Sequence, residues 1–253
     1  MMFTMLAVVT EVNPISRSAS PPTHRQRRRA ATRDEIVEAA RSLLVQSGLE
    51  QVTLRGIAGE LGMTAPALYR YFDSREALLE ALIDALYDEL ADILLAVRDA
   101  DAHAPLKSQF VTTSREFRRW ALTHRPEFGL LFGAPLPGVA GKDVATAPDR
   151  GMRFGQVWLE LFAKLSREHP EVIPDGRRVD PQLRRQLREY HELIGRAVPI
   201  GTLELFLSCW MRLYGAVATE AFGHLNFALS DGDAEALFEG LLGEMADRLG
   251  LAH

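Results

Sequence analysis

The stretch Thr53–Phe72, TLRGIAGELGMTAPALYRYF, constrains this chain more than any other. Thr53 is a good N-cap, because its hydroxyl can accept one of the N–H groups that a first helical turn leaves unpaired. Leu54, Ile57 and Leu61 recur at i, i+3 and i+7, which sets them on one helix face. Ala58 beside them is small enough to let a second helix approach. Gly62 stops the pattern where a positive φ costs glycine little. Thr64 is placed to cap a second helix, and Pro66 fits its first turn without losing a hydrogen bond. Leu68 and Phe72 give that helix an inward face. Two short helices, a turn with glycine and apolar positions that lock them together predict a helix-turn-helix.

The outward face of the second helix offers Thr64, Ala65, Pro66, Ala67, Tyr69, Arg70 and Tyr71. Small residues near its start suit a deep seat in a major groove, where the first residues of such a helix meet base edges. Thr and Ala suit a thymine methyl, and tyrosine hydroxyls suit phosphates, which fix register. Two packed helices with solvated tyrosines would show the same residues, so the flanks have to decide.

Upstream, His24–Arg33 reads HRQRRRAATR, with five arginines and no acid. A solvated basic tail is the plain alternative. Beside a helix-turn-helix the run is expected to be an arm whose Arg25, Arg27, Arg28 and Arg29 neutralise phosphates or enter the minor groove. A first helix is predicted over Thr32–Val45, opened by a Thr32/Glu35 capping box and carrying Ile36, Ala39, Ala40, Leu43 and Leu44. Downstream, Asp73 or Ser74 is expected to cap a further helix, with Asp73 and Glu76 forming a second box. Leu78, Leu79, Leu82, Ile83, Leu86 and Leu90 carry that helix to about Val97. Arg75 in its first turn is electrostatically misplaced, and a phosphate contact would account for it. The net charge of −5 is uneven: residues 1–78 hold 10 Lys+Arg against 8 Asp+Glu, and the remainder holds 19 against 26. The positive part is the part with the helix-turn-helix.

On these residues, positions 33–90 resemble the tetracycline-repressor (TetR) family of bacterial regulators. The resemblance rests on IVEAARSLLVQSGLEQVTLRGIAGELGMTAPALYRYFDSREALLEAL. It implies an all-α protein: a three-helix, homeodomain-like helix-turn-helix domain, then a larger helical domain for ligand binding and dimerisation. It implies further that Thr53 and Arg55 face the DNA backbone. Thr64, Ala65, Pro66, Ala67, Leu68 and Tyr69 would form the recognition helix, and Tyr71 would meet a phosphate. Arg75 stands where the family usually has lysine in the same role. Pro66 departs from the small residue often found at the tip, which bears on base contacts.

The rest of the chain reads as helices over 110–123, 151–167, 180–193 and 201–224, with a last one capped by Asp233. Pro126 is expected to break the pattern before an apolar cluster at Phe128, Leu130, Leu131 and Phe132. Segments 134–150 and 168–180 read as loops. Residues 201–224 are apolar on most faces, as a buried or interface helix is. The last two helices of each of two chains would make a four-helix bundle. The two-fold axis of such a dimer matches a palindromic operator. The segment WMRLYG, with Glu220 and Phe222–His224 after it, resembles one that carries a Trp, a His or Tyr, and a Gly in a subset of these regulators. Of the aromatics Phe117, Trp120, Phe128, Phe132, Trp158, Phe162, Trp210 and Tyr214, most must serve the core. Some are expected to line an apolar pocket for a small-molecule effector.

Several chemistries find no support in the sequence. Strand-like alternation is not sustained anywhere, and 47% hydrophobic with 25% charged residues is ordinary for a globular chain. Cys209 is the single cysteine, so no internal disulfide is expected, and a packed thiol is favoured over a redox sensor. The histidines are scattered, with no metal-ligand spacing. No nucleophile elbow, phosphate loop or paired-carboxylate pattern occurs. No enzyme activity, cofactor or metal is therefore expected. No apolar run reaches roughly 18 residues, so no membrane span is expected, and a cytoplasmic place fits. Residues 1–23 read as a disordered extension or an early start codon, because Met1–Thr10 lacks a basic lead. The expected organisation is then 24–75 for DNA, with its basic arm, and 76–253 for ligand sensing and dimerisation. The expected function is a ligand-responsive repressor. An activator or a ligand-independent regulator is the nearer alternative. A helical enzyme or interaction module that keeps the N-terminal helices for packing is the farther one.

Overall fold

Every regular element among the described residues is helical. The computed structural model describes residues 23–100, 103–136, 138–139, 152–193, 198–229 and 234–251. The disorder expected for residues 1–22, the Asp233 cap and most of the 134–150 loop fall outside these residues.

Helix α1 (His24–Ser47) begins eight residues earlier than Thr32. Thr23 is its N-cap: the Thr23 hydroxyl accepts from the Gln26 amide and the Gln26 side chain accepts from the Thr23 amide. The expected Thr32/Glu35 box does not form. Thr32 lies inside the helix and donates to the Arg28 carbonyl. A 3-10 turn at Leu49–Gln51 leads to α2 (Leu54–Glu60), where the Thr53 hydroxyl accepts from the Gly56 amide at 3.0 Å. Gly62 has φ +63, as anticipated for the turn, and the Met63 amide reaches back to the Ala58 carbonyl. Helix α3 (Ala65–Tyr69) follows, short and started by Pro66 in its first turn. Ile36, Ala40, Ile57, Ala58, Leu68 and Phe72 close the small core of this unit.

Helix α4 (Arg75–Ala100) is opened by Ser74, whose hydroxyl accepts from the Ala77 amide at 3.1 Å, and not by an Asp73/Glu76 box. Its buried stripe of Leu78, Leu79, Leu82, Leu86, Leu90 and Leu94 is long enough to serve both halves of the molecule. Then come α5 (Leu106–Thr123), α6 (Arg125–Phe132), α7 (Met152–Glu168), α8 (Pro181–Leu193), α9 (Ile200–Ala221) and α10 (Glu235–Arg248). Helix α6 stands where Pro126 suggested only a break. Proline is tolerated in a first turn, whose amides have no intrahelical partner, so Pro126 starts a helix there. Asp180 caps α8, with its carboxylate accepting from the Gln182 and Leu183 amides.

Helix α4 is the spine: α1, α5, α6 and α7 all pack on it. Helix α9 is the second hub, packed by α5, α6, α7, α8 and α10. Its N-terminus passes so close to the 173–174 backbone that a Cβ on Gly201 would stand 1.9 Å from the Pro174 carbonyl oxygen. Only glycine fits that crossing.

Candidate nucleic-acid interface

The face of α3 that turns away from the core is open. Thr64, Pro66 and Arg70 are exposed, Ala65 and Ala67 are half-exposed, and Tyr69 is 53% exposed. Thr64 has the extended backbone of an N-cap, yet its side chain makes no capping bond. Its hydroxyl therefore stays available at the tip, beside Pro66. Leu68 lies in α3 as the resemblance implies, but it is fully buried, so it holds α3 to the core and is not part of the open face. Thr53 is half-buried as the cap of α2, and Arg55, one turn in, is exposed.

The basic run is the start of α1 and not a loose arm. Arg25, Arg27, Arg28 and Arg29 are exposed along its first turns. Arg29 donates to the Arg70 carbonyl at 3.1 Å, and its guanidinium lies 6.0 Å from the Tyr71 ring. Arg33 donates to the Tyr71 carbonyl at 3.1 Å and sits 4.1 Å over the Phe72 ring. These bonds cap the C-terminal end of α3 and fix the start of α1 beside the recognition face. Arg25, Arg27 and Arg28 make no ion pair among the described residues. A helix N-terminus already carries partial positive charge, so a cluster of cations there is unfavourable without an anion. Phosphates are the anions that suit such a cluster.

Arg75 is also used inside the protein. Its guanidinium donates to the carbonyls of Val52 and Leu49, each at 2.7 Å. It ties α4 to the segment before α2, and this contact is enough to account for a cation in the first turn of α4. Tyr71 is half-buried, with its ring packed on the core.

A polar cluster that single-sequence reasoning missed joins the two halves. Arg41 of α1 makes a bidentate pair with Glu89 of α4, at 2.6 and 3.1 Å, and donates at 3.1 Å to Glu127 of α6, which is 3% exposed. The Trp120 indole reaches Glu89 at 3.4 Å, and His124 stacks on Trp120. Burial works against the charges of Arg41 and Glu89. Their mutual hydrogen bonds and attraction still raise the arginine and hold the Glu89 carboxyl below its ordinary value. No periodicity signals this set, because its members come from four helices, α1, α4, α5 and α6, far apart in sequence.

The predicted aromatics fall into three groups. Phe117 is the hub of the first, with ring centroids 5.6–6.1 Å from Phe128, Phe132, Phe154, Trp158 and Trp210. Tyr214 stacks on Trp210 and donates to the Phe132 carbonyl at 2.8 Å. Phe162 belongs to a neighbouring set with Phe110 and Phe206. Trp120 belongs to neither: it sits on the Arg41 cluster. Phe154, which is not among the predicted aromatics, is as central as Phe117. Cys209 is 2% exposed, and burial pushes its thiol up to about 11, so it is a packed thiol. Among the described residues no group of acids, histidines and cysteines is arranged to hold a metal, and no described helix is long and apolar enough to cross a membrane.

Residues 36–82 match the family profile "Bacterial regulatory proteins, tetR family", and residues 110–245 match "Tetracyclin repressor-like, C-terminal domain". Over 190 residues the chain is 28% identical to the HTH-type transcriptional regulators Mb1846 of Mycobacterium bovis and Rv1816 of Mycobacterium tuberculosis, covering 75% of this chain and 80% of each relative. Among solved structures, SCO4313, described as a regulatory protein, aligns with a TM-score of 0.65 at 29% identity, over 89% of this chain and all of that one. A protein of unknown function from Rhodococcus sp. RHA1 shares the fold, with a TM-score of 0.57 at 19% identity over 87% of this chain and 95% of its own.

Proposed function

The chain belongs to the tetR family of bacterial regulatory proteins and is a DNA-binding transcriptional regulator, and from that premise we propose that it is a ligand-responsive repressor. In this reading a homodimer holds a palindromic operator through α3 and the start of α1. A small apolar molecule in the C-terminal half loosens that hold. The single observation that carries the reading is the open recognition face of α3 flanked by Arg25, Arg27 and Arg28 at the unfavourable end of α1.

Thr64, Ala65, Pro66 and Ala67 meet base edges, and Tyr69, Arg55, Thr53 and the α1 arginines meet the backbone. Thr64, with its uncommitted hydroxyl at the tip, and Ala67 are the positions best suited to read sequence. Tyr71 contributes through its ring edge, and its backbone is held by Arg33. The exposed Met211 of α9 and Leu237 of α10, 66% and 62% exposed, support the last two helices as the dimer face. Trp210, Tyr214 and Gly215 favour the subset of the family whose ligand domain carries a Trp, a His or Tyr, and a Gly. Such a regulator works beside the chromosome, in the cytoplasm, and carries out no catalysis.

The mechanism follows from differential affinity. An effector shifts the dimer only if it binds better to a state whose recognition helices no longer match grooves about 34–36 Å apart. Two connections run from the effector side to the DNA side. One is α4, which belongs to both halves. The other is Arg41, which ties Glu127 of α6 directly to α1.

The test is a mobility shift with the region upstream of the protein's own gene, followed by fluorescence anisotropy on the shortest protected palindrome. Replacing Thr64 or Ala67 should change which sequences bind. Absence of any salt-sensitive shift on that region or on genomic fragments would defeat the reading.

A further inference from the structure

One polar group at the centre of the aromatic cluster is left unanswered. Trp158 is 1% exposed, and its indole N–H has no hydrogen-bond partner. Its ring lies against Phe117 at 6.1 Å, Phe154 at 6.3 Å and Trp210 at 6.1 Å. A buried indole N–H usually finds an acceptor, and a buried donor without one costs about 1–3 kcal/mol.

Three hydroxyls share this condition. Thr113 and Ser114 on α5 and Thr202 on α9 are fully buried and unpartnered. Ser114 stands one turn from Phe110 on one side and one turn from Phe117 on the other. Those two rings meet Phe162 and Trp158 of α7. Ser114 therefore occupies the α5 face turned to α7, at a level between them. Thr202 is one turn before Phe206, whose ring meets Phe162 at 5.4 Å. Trp158 and these three hydroxyls thus lie along the seam where α5, α7 and α9 meet, while the buried Arg184 Nε, also without a partner, lies apart from them on α8. Charge does not. The buried carboxylates among the described residues, Glu127 and Glu220, are taken by Arg41 and Arg118.

We infer that this seam takes an uncharged aromatic molecule with an oxygen that accepts a hydrogen bond from the Trp158 indole. The inference rests on the ligand-sensing reading above and names the chemistry of its ligand. A flat ring packs edge-on or offset against Phe117, Phe154 and Trp210. A ketone or ester oxygen supplies the acceptor that the indole lacks, and Ser114 or Thr202 serves a second oxygen. A carboxylate would enter without a counter-charge and lose its hydration.

Three probes of one shape separate these chemistries: 2-acetonaphthone, 2-ethylnaphthalene and 2-naphthoate. Binding to the full chain is measured by calorimetry and by the indole 15N–1H signals of its three tryptophans. The Trp158 signal is the one missing from Trp158→Phe. The ketone should bind roughly five- to tenfold more tightly than the hydrocarbon, the worth of one satisfied buried hydrogen bond. Naphthoate should be the weakest. The ketone should move the Trp158 signal downfield, and the hydrocarbon should not. In Trp158→Phe the advantage of the ketone over the hydrocarbon should vanish, whatever the absolute affinity of the two. Ser114→Ala should keep the signal shift. Where Trp158→Phe folds poorly, the Trp158 signal is assigned instead as the one kept by both Trp120→Phe and Trp210→Phe, and its shift in the unaltered protein decides the matter. Equal affinity for ketone and hydrocarbon, an unmoved Trp158 signal, tightest binding of naphthoate or no binding at all overturns the inference. A ketone that binds as described yet leaves operator affinity unchanged supports the donor assignment and removes the ligand-sensing reading instead.

Discussion

Arg75 and Arg41 are both arginines at a helix surface, and both are used inside the protein. Arg75 donates to two backbone carbonyls before α2. Arg75→Ala should therefore lower stability by about 1–3 kcal/mol in urea unfolding, the worth of charge-assisted bonds to partly buried groups. It should leave the slope of operator affinity against salt unchanged. A dimer slope reduced by about 1.8 units would give Arg75 of each protomer a phosphate role as well. Arg41 couples to pH through Glu89. The Glu89 carboxyl is held below its ordinary 4.5, so its contribution to stability is present above that value and is lost as pH falls through the lower folded value. Arg41→Met leaves Glu89 and the buried Glu127 without their cation and should cost on the order of 3 kcal/mol. The gap in thermal midpoint between variant and parent should hold from pH 7 to about 5 and narrow below 4.5. A gap undiminished on acidification would show that Arg41 acts by packing alone. The sequence made Arg75 conspicuous, because a cation at a helix start violates a local rule. It gave no sign of Arg41, because nothing local connects positions 41, 89 and 127.

At the scale of elements, local periodicity was a good guide wherever a helix has one wet face. The stripes of α1, α2 and α4 and the turn at Gly62 are where Leu54, Ile57, Leu61 and the leucines of α4 put them. Boundaries were less legible, because two capping signals compete in one stretch. Thr32 with Glu35 and Thr23 with Gln26 both spell a box, and arginine and alanine between them are strong helix formers, so the earlier box opens the helix. The arginines thereby stand on a rigid rod braced against α3 by Arg29 and Arg33. Rigidity has a measurable consequence. If Arg25, Arg27 and Arg28 of each protomer each neutralise one phosphate, replacing all three with alanine should flatten the salt slope of the dimer by about 5.4 units. Operator affinity should fall with little change in sequence preference. Helix content by circular dichroism should hold, since alanine favours helix at least as much as arginine. Loss of preference among operators with an unchanged slope would mean that these arginines read bases instead.

At the scale of the molecule, the sequence showed that α9 is apolar nearly all round but not which side meets a partner. That is a property of the packed bundle: α5, α6, α7, α8 and α10 cover most of α9, and Met211 is left outside with Leu237 of α10. Large exposed apolar side chains on adjacent helices suit a face between two copies. A two-fold face of this kind sets each residue near its own symmetry mate or its neighbour, so a charge placed there is repeated across the axis. Met211→Glu combined with Leu237→Glu should then convert a dimer into a monomer of 28.2 kDa in sedimentation equilibrium, with circular dichroism unchanged because both positions are exposed in the single chain. In the proposed reading a monomer engages one half-site where a dimer engages two. It loses half of the phosphate contacts together with the fixed spacing of the recognition helices. Operator affinity should fall by at least about 100-fold, and the salt slope should drop by about half. A double variant that stays dimeric would move the interface elsewhere on the surface. One that becomes monomeric yet binds the palindrome as before would mean that the spacing of two recognition helices does not set affinity, and the release mechanism would then have to act within a single chain.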